Sequence, residues 1–364
     1  MKSEVAVVGG GATGTSIFRD LTLRGINAVL IERGTIGKGT TSASHQNLVG
    51  GMRYVVKDPL VAKECAEENE ILSKISPDII GKINNYFLGF RNDYTEKALK
   101  EAKRLDIRAE EIDTKDAFRE IPELNHEIEI IIETNDRNIN AERFCYLNCF
   151  SAIENGGTLI ENTTIQKIES IGGYFSIETN QMKIKTEYIV NATGSWVNRI
   201  ADKMGITLPV TYSQGTIIVL PTVSPRGLQY LRKPSDGDAY IVHASQAWLG
   251  TTSTAIENPD SAKPESWADE YLKKEFSIIL PIIKSQNTLG RFTGVRVLLK
   301  ENGTENGRSL SRDFKIIETP ENFLHTIGGK LTTARLMAEK TVDTLCKKTG
   351  NRTRCRTHIE PLKE

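Results

Sequence analysis

Four apolar residues in a row, Val5 to Val8, lie near the start of the chain and run directly into glycines, which reads as a short strand buried on both faces. Behind the glycines the pattern turns helical through Leu23, and a second apolar run from Ala28 to Ile31 ends on Glu32. Apolar positions three and four apart then predict helices at about Leu60 to Ile75, Thr95 to Leu105 and Glu142 to Glu154. Strand-like runs at Tyr86 to Phe90, Glu127 to Glu133 and Glu187 to Asn191 alternate with them. Strands crowd together from Pro209 to Thr254, including Thr216 to Leu220, Ala239 to His243 and Trp248 to Thr251, before a polar, proline-punctuated stretch from Asn258 to Glu265. The chain closes with a strand at Phe323 to Ile327, the pair Gly328-Gly329 and a helix to about Lys348. No internal repeat or low-complexity tract interrupts this order.

Composition narrows the function classes. Lys+Arg at 47 against Asp+Glu at 47 gives zero formal charge, so no global positive field draws the chain to nucleic acid or to an anionic membrane. A length of 364 residues suits two interlocked domains. No run reaches the roughly 20 apolar residues of a spanning helix. The passage from Met1 straight into the first strand leaves no space for a signal-peptide core, so a cytoplasmic location is expected. Five cysteines, none spaced as CxxC, argue against a disulfide framework, a zinc site or an iron–sulfur cluster, and no metal is expected. Cys145 and Cys149, four apart on a predicted helix, read as core residues.

The strongest chemical signal is Gly9-Gly10-Gly11-Ala12-Thr13-Gly14, a GxGxxG in its required strand–turn–helix setting. Gly9 permits the tight turn, Gly11 lets backbone approach a pyrophosphate, and Gly14 lets the helix pack on its strand. The helix N-terminus then offers N–H groups and a positive dipole end to the phosphates. Glu32 lies 18 residues past Gly14, where an acidic ribose ligand is expected. A glycine and hydroxyl-rich loop follows, residues 34 to 44, with Ser44 placed to cap a short helix aimed at the same pyrophosphate. No second GxGxxG occurs, so if the dinucleotide is a flavin its substrate must reduce it directly.

VVGGGATG, RDLTLRG, Glu32-Arg33, the TTSASH loop and GGMRY resemble the FAD-dependent glycerol-3-phosphate dehydrogenases, within the wider D-amino-acid-oxidase-like flavoproteins. The likeness is greatest to the catalytic-subunit type of the anaerobic bacterial enzyme. It continues through NATGSW (Asn191 to Trp196), RKPSDGD (Arg232 to Asp238), LGTTS (Leu249 to Ser253), GVR (Gly294 to Arg296), SRD (Ser311 to Asp313) and GGKLTTARLMAE (Gly328 to Glu339). The resemblance implies a mixed α/β fold. A Rossmann-like FAD-binding domain from residues 1–80, 140–208 and 310–364 would interleave with an antiparallel-sheet substrate domain from 81–139 and 209–309. It implies FAD as cofactor, glycerol 3-phosphate as substrate, and a quinone or carrier protein as electron acceptor. Any membrane contact would be peripheral and made through a partner protein. The cysteine-rich C-terminal domain of the anaerobic catalytic chain has no counterpart after Cys355, so electrons are expected to leave the flavin directly or through a separate protein.

The implied chemistry moves a hydride from C2 of the substrate to flavin N5 while a base takes the hydroxyl proton. Cations should sit where negative charge develops and where the phosphate docks. By resemblance Arg53 and Arg312 serve mainly the phosphate, Arg296 and Lys330 the reacting hydroxyl and flavin, and Tyr54 joins the substrate site. His45 is read as a flavin contact, the proton acceptor or a loop-structural residue. Cofactor contacts implied besides Gly9, Gly11, Gly14 and Glu32 are Ala12, Thr13, Arg33, Thr40, Thr41, Ser42, His45, Gln46, Asn47, Leu48, Ile165, Ala192, Thr193, Gly194, Trp196, Gly294, Arg296, Gly329, Lys330, Leu331, Thr332 and Thr333. The chain departs from the family at Val49 and Ile217, where some relatives carry histidine. It also departs at Val297, after GVR, and at Ala334. His243 and His325, on strand-like segments, read as satisfied core histidines. Two other readings are a related oxidoreductase for a hydroxy acid or amine, and a flavin-holding protein without turnover, kept for assembly of a larger complex.

Overall fold

A computed structural model describes residues 1–230, 239–300, 313–320 and 322–364. Strand β1 (Lys2–Val8) leads through the glycine turn into helix α1 (Ala12–Leu23) and then strand β2 (Ala28–Ile31). β1 pairs in parallel with β2 on one side and with Lys183–Asn191 on the other. The sheet extends from β2 to Thr158–Ile160 and, on the far side, through Phe323–Gly328 to an antiparallel edge at Phe314–Thr319. This is the parallel nucleotide-binding sheet the early pattern predicts. The apolar run of β1 is continuous because both faces are covered. Val5 and Val7 pack with Ile17, Phe18 and Leu21 of α1 and with Val342 and Leu345 of the last helix. Ala6 and Val8 turn to the other face, against Ile168, Phe175 and Ile177. Those last residues belong to a hairpin, Ile165–Ile171 and Tyr174–Thr179, that joins the sheet through Lys183–Asn191.

A second sheet gathers Tyr86–Gly89, Glu110–Glu111 and Ile130–Glu133 with the later strands Val210–Pro221, Leu228–Tyr230, Ala239–His243, Gln246–Gly250, Thr254–Ile256 and Gly290–Leu299. It is antiparallel except where Leu228–Tyr230 runs parallel to Tyr86–Gly89. Its axis is the long pairing of residues 210–219 with Gly290–Leu299, which places Gly215 opposite Gly294 and Ser213 opposite Arg296. The two sheets meet at the flavin-loop segment. Thr40 Oγ1 and Ser195 Oγ both donate to the carbonyl of Val295, at 2.8 and 2.7 Å.

The last helix, Ala334–Thr349, ends at Gly350, and the segment after it turns back across α1. Three buried arginines hold it there. Arg19 donates to the carbonyls of Glu360 and Pro361, Arg24 bridges Asp20 and Asp343 and reaches the Thr353 carbonyl, and Arg335 pairs with Glu68 and donates to Thr357. Cys145 and Cys149 are buried free thiols. No helix among the described residues is long and apolar enough to cross a membrane.

Candidate active site

Between the sheets lies a cleft of about 920 Å³, lined at one end by the glycine turn and at the other by Arg53, Arg296 and Lys330. At the first end the turn itself is the device. Gly9 has φ +107, and a Cβ there would stand 2.7 Å from the Ala192 carbonyl oxygen. A methyl on Gly14 would land on the carbonyl of Gly9, so this residue sets how closely α1 packs on β1. No acidic side chain occupies the first turn of α1, and Gly11 supplies no side-chain cap. Instead Thr41 Oγ1 accepts from the Ala12 N–H at 3.1 Å. Glu32, at the end of β2, accepts from Gly10 N–H at 2.7 Å and Gly34 N–H at 2.8 Å. A carboxylate has four lone-pair positions, so this bracing leaves acceptor capacity toward the cleft.

Trp196 closes that end. The Arg33 guanidinium lies 4.3 Å over its ring, and its Nε1–H donates to Asp260 at 2.7 Å. Asp260 also pairs with Arg199 and Arg33. The hydrogen bond from Trp196, seconded by Arg199, holds the Asp260 carboxyl below its usual range. Asp260 comes from the polar stretch between the strands Thr254–Ile256 and Gly290–Leu299, so a residue remote in sequence braces the wall of the nucleotide end.

The opposite end is built from long side chains. Arg296 donates through Nη2 to Thr251 Oγ1 at 2.9 Å and to the Thr252 carbonyl at 2.6 Å. It crosses Gly215, where no Cβ would fit beneath the guanidinium. Arg53 donates through Nη1 to Gln229 Oε1 at 3.1 Å. Lys330 follows a double-glycine turn in which Gly329 has φ +73 and backs onto the Met337 sulfur. Its Nζ lies 4.6 Å over the Tyr54 ring. Thr332 Oγ1 accepts from Val49 N–H at 3.0 Å, and Thr333 Oγ1 from Lys330 N–H at 3.2 Å.

His45 lines this end of the cleft, and its Nε2 is buried with no hydrogen-bond partner among the described residues. The Gly250 carbonyl favours a proton on the ring, but weakly. Burial, with the fields of Arg53 and Arg296, pushes the imidazole down to about 3. The His45 carbonyl accepts from His243 Nε2 at 3.0 Å, and His243 stacks on Trp248. His325 is fully buried between Asn191 and Thr319. Both are partnered histidines of the scaffold.

Most residues singled out from sequence line this one cleft. The exceptions are Gly14, Ser42, Leu48 and Thr333. Leu48 is buried in the core, and the Ser42 hydroxyl turns to the Gly39 carbonyl. Arg312 and the RKPSDGD segment fall outside the described residues. Ser44 caps no helix: its hydroxyl bonds the Thr41 carbonyl and the Gln46 N–H within a turn, because three-residue spacing suffices for that local closure. Thr251, Gln229 and Asp260 were not legible in advance. Each sits in a strand or loop whose pattern gives no sign of what it will touch.

The donor set fits FAD. The cleft joins a helix N-terminus to a cationic end, Glu32 braces the glycine turn beside it, and His45 lines the cationic end.

The chain belongs to the FAD-dependent oxidoreductase (DAO) family, whose model matches residues 4–344. It is 32% identical to the A1 chain of the anaerobic glycerol-3-phosphate dehydrogenase of Haloferax volcanii, across 98% of this chain and 66% of that protein. Identity to the corresponding anaerobic glycerol-3-phosphate dehydrogenase chain of Escherichia coli K12 is 29%, across 98% of this chain and 69% of that one. The chain thus spans about two thirds of the length of these relatives. The crystal structure of glycerol-3-phosphate dehydrogenase from Bacillus halodurans with FAD superposes with a TM-score of 0.76 at 20% identity, covering 99% of this chain and 67% of that one. The shared fold is that of the FAD-binding oxidoreductases.

Proposed function

We propose that this FAD-dependent oxidoreductase oxidises sn-glycerol 3-phosphate to dihydroxyacetone phosphate and passes the electrons to a quinone or carrier protein. The observation that carries the reading is that Arg53, Arg296 and Lys330 line one cleft together with His45, whose imidazole burial and the fields of Arg53 and Arg296 keep neutral. The names of the Haloferax and Escherichia relatives point to the same substrate.

FAD, when bound, supplies the two-electron acceptor for the hydride that leaves C2 of the substrate. The protein's own part is to grip, orient and deprotonate. Arg53, together with Arg312, binds the phosphate, where a guanidinium gives two parallel donors to two oxygens. Arg296 and Lys330 stand over the reacting hydroxyl and over the place where negative charge develops. His45 Nε2 is the acceptor for the hydroxyl proton. Part of what keeps a proton off this imidazole is the field of Arg53 and Arg296. A phosphate dianion held by Arg53 offsets part of that field, so His45 gains basicity as the substrate enters. The test is to add glycerol 3-phosphate anaerobically to the purified yellow protein and follow flavin absorbance. Bleaching is expected, and an oxidised spectrum that persists at millimolar substrate would remove this substrate assignment while leaving the FAD site standing.

A further inference from the structure

The carboxylate of Asp136 is fully buried between the two sheets and outside the cleft, yet it touches the cationic end from two directions. It follows the strand Ile130–Glu133 in the polar turn Thr134-Asn135-Asp136. Oδ1 accepts from the Gly50 N–H at 2.7 Å and from Thr134 Oγ1 at 3.3 Å. Oδ2 accepts from Gln229 Nε2 at 2.9 Å and from Asn47 Nδ2 at 3.2 Å. Gln229, itself 1% exposed, hands the contact on: its Oε1 receives Arg53 Nη1.

The direction of every bond in this network is fixed by groups that can only donate. Arg53 has no acceptor atom, so Gln229 must turn Oε1 to it and Nε2 to Asp136. The Gly227 N–H fills Asn85 Oδ1, so Asn85 donates through Nδ2 to Asn47 Oδ1 at 3.1 Å and leaves Asn47 Nδ2 for Asp136. The Gly50 N–H is a donor by nature. Three donors therefore converge on Asp136 with no freedom to reverse, and an acceptor-only carboxylate is the side chain that satisfies them. Burial raises the Asp136 carboxyl, while the bonds from Gln229, Gly50 and Asn47 favour the ionised form.

We propose that Asp136 is a positioning residue for anion recognition. It holds the backbone at Gly50, three residues before Arg53, and through Gln229 it holds the Arg53 guanidinium, so that the phosphate-binding cation is fixed at both ends. Its bond to Asn47 ties the same carboxylate to the flavin-loop segment. The inference rests on the proposed phosphorylated substrate, and its effect belongs in binding rather than in the chemical step.

The experiment is anaerobic flavin reduction of FAD-loaded holoenzyme over a series of glycerol 3-phosphate concentrations. Asp136→Asn sets an amide donor against Gln229 Nε2, so the glutamine flips and presents a donor to Arg53. The half-saturating concentration should rise by about tenfold or more while the limiting rate stays within about threefold. Gln229→Leu should give the same rise. The double variant should be no worse than the worse single one, because both cut one relay. Asp136→Asn combined with Gln229→Glu should recover part of the loss, since the new carboxylate accepts from the amide at 136 and from Arg53 together. Unchanged half-saturation in FAD-loaded Asp136→Asn, or multiplied losses in the double variant, would overturn the relay. If Asp136→Asn cannot hold FAD, Gln229→Leu alone decides, with unchanged half-saturation counting against the relay. If glycerol 3-phosphate fails to reduce the wild-type enzyme, the substrate reading falls and the relay is judged by inorganic phosphate, titrated against the flavin spectrum. Weaker phosphate binding in Asp136→Asn supports it, and equal binding overturns it.

Discussion

The two ends of the cleft solve one problem, holding an anion, by different means. At the nucleotide end the inward-facing groups are backbone amides at the start of α1, shaped by Gly9 and Gly14 and braced by Glu32 and Thr41. At the reacting end they are the side chains of Arg53, Arg296 and Lys330, each aimed by a partner from a separate segment. A backbone site is stiff and tolerates no added atom beside it. A side-chain site can lose a residue and still hold its shape, so the two ends should fail differently.

Gly14→Val offers the sharpest break. Its Cβ would strike the Gly9 carbonyl, and relieving that overlap costs about 1–3 kcal/mol or more, so FAD affinity should fall by about tenfold to a hundredfold or beyond. Flavin content after purification checks this, and a variant that stays fully yellow would mean that the turn adapts. Lys330→Met should leave FAD in place and slow reduction by about two to three orders of magnitude, the scale for removing a preorganised charge from a developing anion. Stopped-flow absorbance measures it, and near-normal reduction would take Lys330 out of the reaction.

A third effect is on pH, and it concerns the stability of the scaffold around both ends rather than either anion site. Burial lowers His325 to about 4 and His45 to about 3, against about 6.5 for an unfolded histidine. Below pH 6.5 the unfolded chain takes up protons that the native one refuses. Stability therefore holds above pH 6.5 and is lost as pH falls toward those lowered values, at up to about 1.4 kcal/mol per pH unit for each fully buried histidine. The thermal midpoint should drop between pH 7 and pH 5, and His325→Gln should flatten that slope even while lowering the midpoint overall. An unaltered slope would show that His325 titrates normally.

The difference between the ends also explains what the sequence made legible. The β1–α1–β2 unit, its parallel pairing and the glycine turn follow from local pattern, since a buried strand, a close approach and a helix start each constrain residues within a few positions. Arg53 and Lys330 stood out by resemblance, each after a glycine pair, and in the structure Gly51 and Gly329 of those pairs are left-handed. The partners that aim the reacting end lie far off in sequence. Asp136 looks like an ordinary turn aspartate and Gln229 like one polar position in a strand. Their roles arise when Leu228–Tyr230 is laid beside Tyr86–Gly89, a pairing between strands about 140 residues apart. The hairpin Ile165–Thr179 escaped for another reason. Its first strand spaces Ile165, Ile168 and Ile171 three apart among the exposed Gln166, Lys167, Glu169 and Ser170, so the two-residue alternation that marks a strand is missing from the sequence.

The order of strands in the first sheet sets a timetable for the ribosome. β1 and the fingerprint turn are made first, but β1 needs Lys183–Asn191 beside it, and that strand in turn needs Phe323–Gly328. The helix that covers Val5 and Val7, and the tail that satisfies Arg19, come later still. Until Phe323–Gly328 and the helix after it have emerged, the glycine turn stands on an unfinished sheet. A chain cut within the second sheet would therefore carry the glycine turn without two of the strands that hold it in place.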